Sequence, residues 1–107
     1  ISFGDNVHVA SGVTFINHDI TCMMFNYMDI EHHYKIRQGE INIGNNVFIG
    51  AGSRILYDVT IGDNVIIGAG SLVNKDIPSG TVAAGVPCKV IGSFDEYMSR
   101  LRVEEEK

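Results

Sequence analysis

The residues best suited to chemistry gather around one short string, Val13-Thr-Phe-Ile-Asn-His-Asp, in which His18 stands between Asn17 and Asp19. A neutral imidazole can take a proton from an alcohol or an amine, because its ordinary pKa lies close to working pH. Asn17 and Asp19 are placed to orient that ring or to bond an acceptor, although both residue types also serve as plain turn formers. Residues 19–40 follow, carrying Met23, Met24, Phe25, Tyr27, Met28 and Tyr34. Within them Tyr27, Asp29, Tyr34 and Arg37 offer stacking faces and hydrogen-bonding groups that suit a saccharide, Tyr34 and Arg37 being the candidates for holding it. A simple covering for an exposed corner accounts for the same residues equally well.

Other chemistries find less support. Cys22 and Cys88 are too few for a disulfide scaffold and lack the paired spacing of a zinc site. As nucleophiles they would need an activating partner that the sequence does not display. No G-x-x-x-x-G-K-[ST] string occurs, and no glycine fingerprint leads from a strand into a helix. Net charge of −5 and a pI near 5.2 argue against a general binder of nucleic acid or anionic membrane. No apolar run approaches the ~18 residues of a membrane span, and no leader pattern opens the chain. A cytoplasmic protein is the expectation.

The elements that must position His18 are written as a repeat. In sixes, residues 43–78 read IGNNVF, IGAGSR, ILYDVT, IGDNVI, IGAGSL, VNKDIP, headed by Ile43, Ile49, Ile55, Ile61, Ile67 and Val73. Four places after each head stand Val47, Ser53, Val59, Val65, Ser71 and Ile77. Laying 43–60 over 61–78 leaves ten of eighteen positions identical. Upstream, FGDNVH, VASGVT, FINHDI keeps the spacing in a more diverged copy headed by Phe3, Val9 and Phe15. The alternation around each head is strand-like, and Gly-Asp-Asn and Gly-Ala-Gly punctuate the blocks as turns. A chain that turns after each short strand and returns in register after three blocks forms a triangular coil, stacked on the next at about 4.8 Å.

The spacing therefore predicts an all-β fold, a parallel β-helix of about three coils over residues 1–92 with its head residues stacked inside. Composition agrees: Val and Ile outnumber Leu 25 to 3, an imbalance that favours pleated strands over a helical bundle. Residues 19–40 lack the period of six and read as an extruded loop, longer than an ordinary connection. Ser93 and Glu96 read as a capping box opening a short helix with Phe94, Tyr97, Met98 and Leu101 at helical spacing. Glu104 to Glu106 reads as a solvated, frayed end. Because the first coil would present an open strand edge, the chain of 107 residues reads as the catalytic end of a longer enzyme, or as a short form that depends on its oligomer.

The run IGNNVFIGAGSRILYDVTIGDNVIIGAGSLVNKDIPSGTVAAGVPCKVI resembles the carboxyl-terminal half of the hexapeptide-repeat acyltransferases, and VNKDIP and AAGVPCKVI are its most specific parts. The resemblance extends from about Phe3 to Ile91 and is strongest to sugar O-acetyltransferases of the maltose and galactoside type. It implies a left-handed β-helix, acetyl-CoA as acyl donor and a homotrimer with its active site at the interface. The string TFINHD resembles the site where such enzymes carry a general base at a coil's end before an extruded loop, which implies that role for His18. A backbone amide of the Gly50-Ala51-Gly52 turn would then meet the oxyanion. The resemblance also implies a coenzyme groove along the last coils, near the backbone of Ala51 and Ala69, with Asn74 and Lys75 beside it. Lys89 would face coenzyme phosphates as a point charge. Gly92 stands where many relatives carry a further Arg, which leaves one phosphate contact without its residue.

The acceptor implied is a small-molecule or polysaccharide hydroxyl, and the same base would serve an amino sugar. A metal-dependent carbonic anhydrase on the same fold would need three histidines on coil edges, yet of His8, His18, His32 and His33 the last two fall in the irregular segment. A purely structural solenoid would need ranks of Thr at the coil spacing, which are absent, and an inactive relative of the acyltransferases remains as the non-enzymatic alternative.

Overall fold

In a computed structural model, which describes residues 1–106, the chain runs Ser2–Phe3 (β1), Val7–Val9 (β2), Thr14–Ile16 (β3), His18–Asp19 (β4), Thr21–Met28 (α1), Arg37–Gln38 (β5), Ile41–Ile43 (β6), Val47–Ile49 (β7), Arg54–Leu56 (β8), Val59–Ile61 (β9), Val65–Ile67 (β10), Leu72–Val73 (β11), Thr81–Ala84 (β12), Lys89–Ser93 (β13) and Phe94–Glu105 (α2). The strands form three faces of a triangular coil: β1-β6-β9, β2-β7-β10-β12 and β3-β8-β11, all parallel. Register follows the repeat. Val65 lies beside Val47, Ile67 beside Ile49 and Ile61 beside Ile43, each 18 residues on. Between the first and second coils the offset is 40, with Phe3 beside Ile43 and Phe15 beside Ile55. The difference, 40 − 18 = 22, is the length of the segment 19–40.

Heads and fourth residues of the second and third coils form the core. Ile41, Ile49, Ile55, Ile61, Ile67, Val65 and Val73 are all fully shielded, and Ile43, Val47, Val59 and Ile77 nearly so. The first coil departs from the expectation that every head points into a sealed interior: Phe3 is 51% and Val9 43% exposed. Among the described residues this coil is covered on one side only, and its floor is closed in part by Phe3 and Phe15, packed edge to face at 5.6 Å.

Corners are held by polar stacks. Asn6, Asn46 and Asn64 take the left-handed backbone (φ 58°, 57° and 55°), which Asn tolerates better than most residues. Each amide donates to the next, Asn6 Nδ2 to Asn46 Oδ1 at 2.9 Å and Asn46 Nδ2 to Asn64 Oδ1 at 3.0 Å. At another corner the two buried hydroxyls, Ser53 and Ser71, both donate to Gly68 O (3.1 and 2.6 Å), and Ser71 Oγ accepts the Gly85 amide at 3.2 Å. Close stacking excludes side chains where coils touch: a Cβ on Gly50 would lie 2.5 Å from Ala69 N.

Three segments differ from the plain repeat. Residues 19–40 are not an irregular loop throughout, since they contain α1 and are closed at the neck by the antiparallel pair β4-β5. The final strand, β13, returns antiparallel to β12 rather than adding a parallel rung. Helix α2 begins as expected, with Ser93 Oγ accepting the Glu96 amide at 3.3 Å, and ends at Glu105, within the solvent-exposed acidic run. Glutamate is a good helix former, and the Glu106 amide still reaches Arg102 O. The radius of gyration, 16.8 Å, exceeds the ~13 Å of a compact domain this size. Three coils spaced ~4.8 Å apart cannot supply the long dimension of 67 Å, so the helical appendages do.

Ile61→Ala should cost about 2–5 kcal/mol of stability, whereas Val9→Ala, at the half-open coil, should cost under about 1 kcal/mol. Chemical denaturation of both variants checks this, and equal losses would contradict the placement of the core.

Candidate active site

After Ile16 ends β3, the chain leaves the coil at the corner between the third face and the first. The neck pairs His18 with Gln38 and Asp19 with Arg37. His18 is exposed, and its Nδ1 lies 2.8 Å from Asn17 Oδ1. Asp19 Oδ1 accepts the Thr21 amide at 2.8 Å, which starts α1. That amide, seconded by the Thr21 hydroxyl, holds the Asp19 carboxyl below its usual range against a desolvation that opposes it, and the charges of Arg37 and His18 add to the lowering. Beside the neck an open depression of about 320 Å³ is lined by Ile1, Asn17, Gln38, Gly39, Glu40 and Ile41.

Beyond the neck the arm is organised by two side chains. Asn26 on α1 clamps Tyr34 by its main chain, accepting from Tyr34 N at 2.6 Å and donating to Tyr34 O at 3.0 Å. Asp29 Oδ2 accepts the Tyr34 hydroxyl at 2.8 Å and lies 2.8 Å from His32 Nδ1. The bond to Asp29, with some burial, pushes the Tyr34 phenol above its ordinary pKa. Tyr34 also packs against Phe25 at 5.4 Å. Tyr34 and Arg37 line a separate cavity of about 520 Å³ with Thr21, Cys22, Phe25, Lys35 and Ile36. Arg37 is also the cross-strand partner of Asp19 at the neck. The roles of Asn26 and His32 carry no spacing signal in the sequence, because both act across a fold of the arm that no repeat announces.

The predicted site residues fall at two different corners of the coil. Ala51 lies between β7 and β8, and Ala69 between β10 and β11, so both sit where the second face turns into the third. Lys89 is placed beside Ala84 at the same corner. Asn74 and Lys75 instead follow β11, at the corner from which Asn17 and His18 depart; continuing the β3-β8-β11 register stacks Lys75 over Tyr57 and Tyr57 over Asn17. One chain therefore brings Asn17, His18, Asp19, Asn74 and Lys75 to one edge, and Ala51, Ala69 and Lys89 to another.

At the second corner the backbone has capacity left for a ligand. Gly50 N donates to Ile67 O and Gly52 N to Ser11 O, so of the Gly50-Ala51-Gly52 turn only the Ala51 amide lacks an acceptor among the described residues. The Ala69 amide, one coil up, is in the same state. An exposed edge with spare amides and Lys89 nearby suits an amide-bearing arm that ends in phosphates.

Cys22 and Cys88 are buried, and burial pushes the Cys88 thiol up, with the Ser71 hydroxyl partly opposing it. Among the described residues no three His, Cys, Asp or Glu side chains converge as a metal site would require.

Comparison with known proteins agrees with the repeat. Residues 40–75 match the family model described as bacterial transferase hexapeptide (six repeats). Protein CapG of Staphylococcus aureus is 46% identical over 103 residues, covering 94% of this chain and 57% of that protein. The galactoside O-acetyltransferase of Escherichia coli K12 is 45% identical over 103 residues, 90% of this chain and 45% of the relative. A solved galactoside acetyltransferase in complex with coenzyme A superposes with a TM-score of 0.77 at 42% identity, over 91% of this chain and 46% of that one. The chain thus spans about half the length of the curated relatives it matches. Its coils share their left-handed parallel β-helix, and with the 18-residue register this shows that the chain belongs to the hexapeptide-repeat transferase family.

Proposed function

We propose that the chain carries the general base and the coenzyme corner of an acetyl-CoA-dependent O-acetyltransferase that modifies a saccharide hydroxyl. The observation that carries this reading is His18 itself: an exposed imidazole at the neck of an extruded arm, with one ring nitrogen engaged by Asn17 and the other left over for substrate. Its relatives' names, galactoside O-acetyltransferase among them, support the reaction class, and the coenzyme in the solved neighbour supports the donor.

In this scheme the coenzyme supplies an acetyl thioester. His18 takes the proton from the acceptor hydroxyl as its oxygen bonds to the thioester carbon, and the resulting imidazolium returns that proton to the departing thiolate. Charge develops on the carbonyl oxygen in between, and the Ala51 amide is the spare donor of its turn able to meet it. No covalent enzyme intermediate is needed, in keeping with two buried cysteines. Tyr34 and Arg37, with Asn17 and Asp19 at the neck, hold the acceptor. Lys89 meets coenzyme phosphate, while Asn74 and Lys75 reach the coenzyme from the base's corner.

A base at one corner and a coenzyme edge at another can work together when copies pack side by side, so that one copy's arm overhangs its neighbour's groove. This supports a homotrimer. The arm is suited to such packing: Tyr27 is 89% and Ile30 90% exposed, and Met23, Met24 and Met28 are open as well, an apolar surface that a lone chain rarely leaves in water. Among the described residues no helix is long and apolar enough to cross a membrane, and we place the enzyme in the cytoplasm, where its donor is made.

His18→Ala should lower kcat by about 10²–10⁴-fold in a thioester-consumption assay over a panel of sugars; equal rates for mutant and parent would sink the mechanism. Lys89→Ala should raise KM for acetyl-CoA by about two- to five-fold, more at low salt, with kcat little changed.

A further inference from the structure

We infer that Asn17 is a positioning residue that holds His18 in its Nδ1-protonated tautomer, leaving the Nε2 lone pair as the base. This rests on the reading of His18 as the base and adds which nitrogen acts and what selects it. The side-chain oxygen of an asparagine only accepts hydrogen bonds. With Asn17 Oδ1 2.8 Å from His18 Nδ1, the proton of the neutral ring lies on Nδ1, and the hydrogen bond at one nitrogen fixes the state of the other. Among the described residues Asn17 is the ring's one hydrogen-bond partner; Asp19 Oδ1 accepts the Thr21 amide, and the residue across the neck from His18 is Gln38.

The choice of an amide has a consequence that a carboxylate would not have. Asn17 selects the tautomer and aims the ring without placing a negative charge beside it. The charged groups around the neck are Asp19, Arg37, which faces Asp19, Glu40 on the wall of the depression that Asn17 also lines, and Lys75, two rungs above Asn17 at the same edge. Asn17 is exposed and, among the described residues, its side chain makes no other hydrogen bond, so its replacement leaves the coil intact.

The test is made on the intact protein, uniformly ¹⁵N-labelled. Long-range ¹H–¹⁵N correlation spectra of the imidazoles, with His18 assigned by its loss in His18→Ala, should show protonated Nδ1 and bare Nε2 above the ring's titration. In Asn17→Ala the Nε2-protonated form should rise, with kcat falling about three- to ten-fold. Asn17→Asp should keep the parent tautomer while the acid limb of the pH–rate profile moves to higher pH, because a carboxylate favours the imidazolium. A parent spectrum dominated by Nε2–H, or the same tautomer in Asn17→Ala as in the parent, overturns the proposal. Those spectra do not depend on turnover. An active His18→Ala would remove the base while leaving the tautomer assignment standing; an inactive one beside an Nε2–H parent would remove this proposal alone.

Discussion

The structure depends on one interaction, the hydrogen-bonded seating of each coil on its neighbour with one apolar head above another. Gly44 N reaches Ile61 O, Gly50 N reaches Ile67 O and Gly68 N reaches Ala83 O, all between 2.8 and 2.9 Å. Each such bond fixes the height of a whole rung, and a rung out of register would turn its Ile and Val heads away from the core. The polar ladders belong to the same constraint. Asn6, Asn46 and Asn64 can pass hydrogen bonds along the axis only when their corners coincide.

Against that rigid frame the arm is a local exception held at its neck. The coil tolerates 22 extra residues because they leave and re-enter at one corner: β4 and β5 close the gap, and Phe3, beside Ile43, meets the next coil as if nothing intervened. The price is that His18 stands outside the stack, on a two-residue strand, where its orientation depends on side chains rather than on the coil. The spare amides of Ala51 and Ala69 are products of the coil itself. A corner turn exposes one amide per rung that the axial bonds do not use, so the proposed coenzyme edge comes with the fold, whereas the proposed base stands at the neck of the insertion.

Much of this was legible in the sequence because the repeat encodes it directly. The heads and fourth residues from Ile43 to Ile77 are the residues that prove buried, and Ser93 caps its helix as its spacing to Glu96 suggested. What escaped was set by tertiary contact. Helix α1 has no side-chain cap at Ile20 and a run of Met, Phe and Tyr that reads as readily as loop; its start is fixed by Asp19, and its end by Asn26 and Asp29 gripping Tyr34. The antiparallel return of β13 was hidden because Lys89-Val90-Ile91 looks like one more strand of the repeat. The division of the candidate site between two corners was implicit in the 18-residue period, since Ala51 and Ala69 share a phase that His18 does not.

The central claim is that catalysis joins the His18 corner of one copy to the coenzyme corner of another. Subunit complementation addresses it most directly: His18→Ala and Ala69→Trp, the latter filling the exposed coenzyme edge, are each purified, mixed in equal amounts, unfolded and reassembled together. Random reassembly into rings should restore about a quarter of the parent's activity, because one interface in four then unites an intact histidine with an open groove. A mixture as inactive as either variant alone would contradict a shared site.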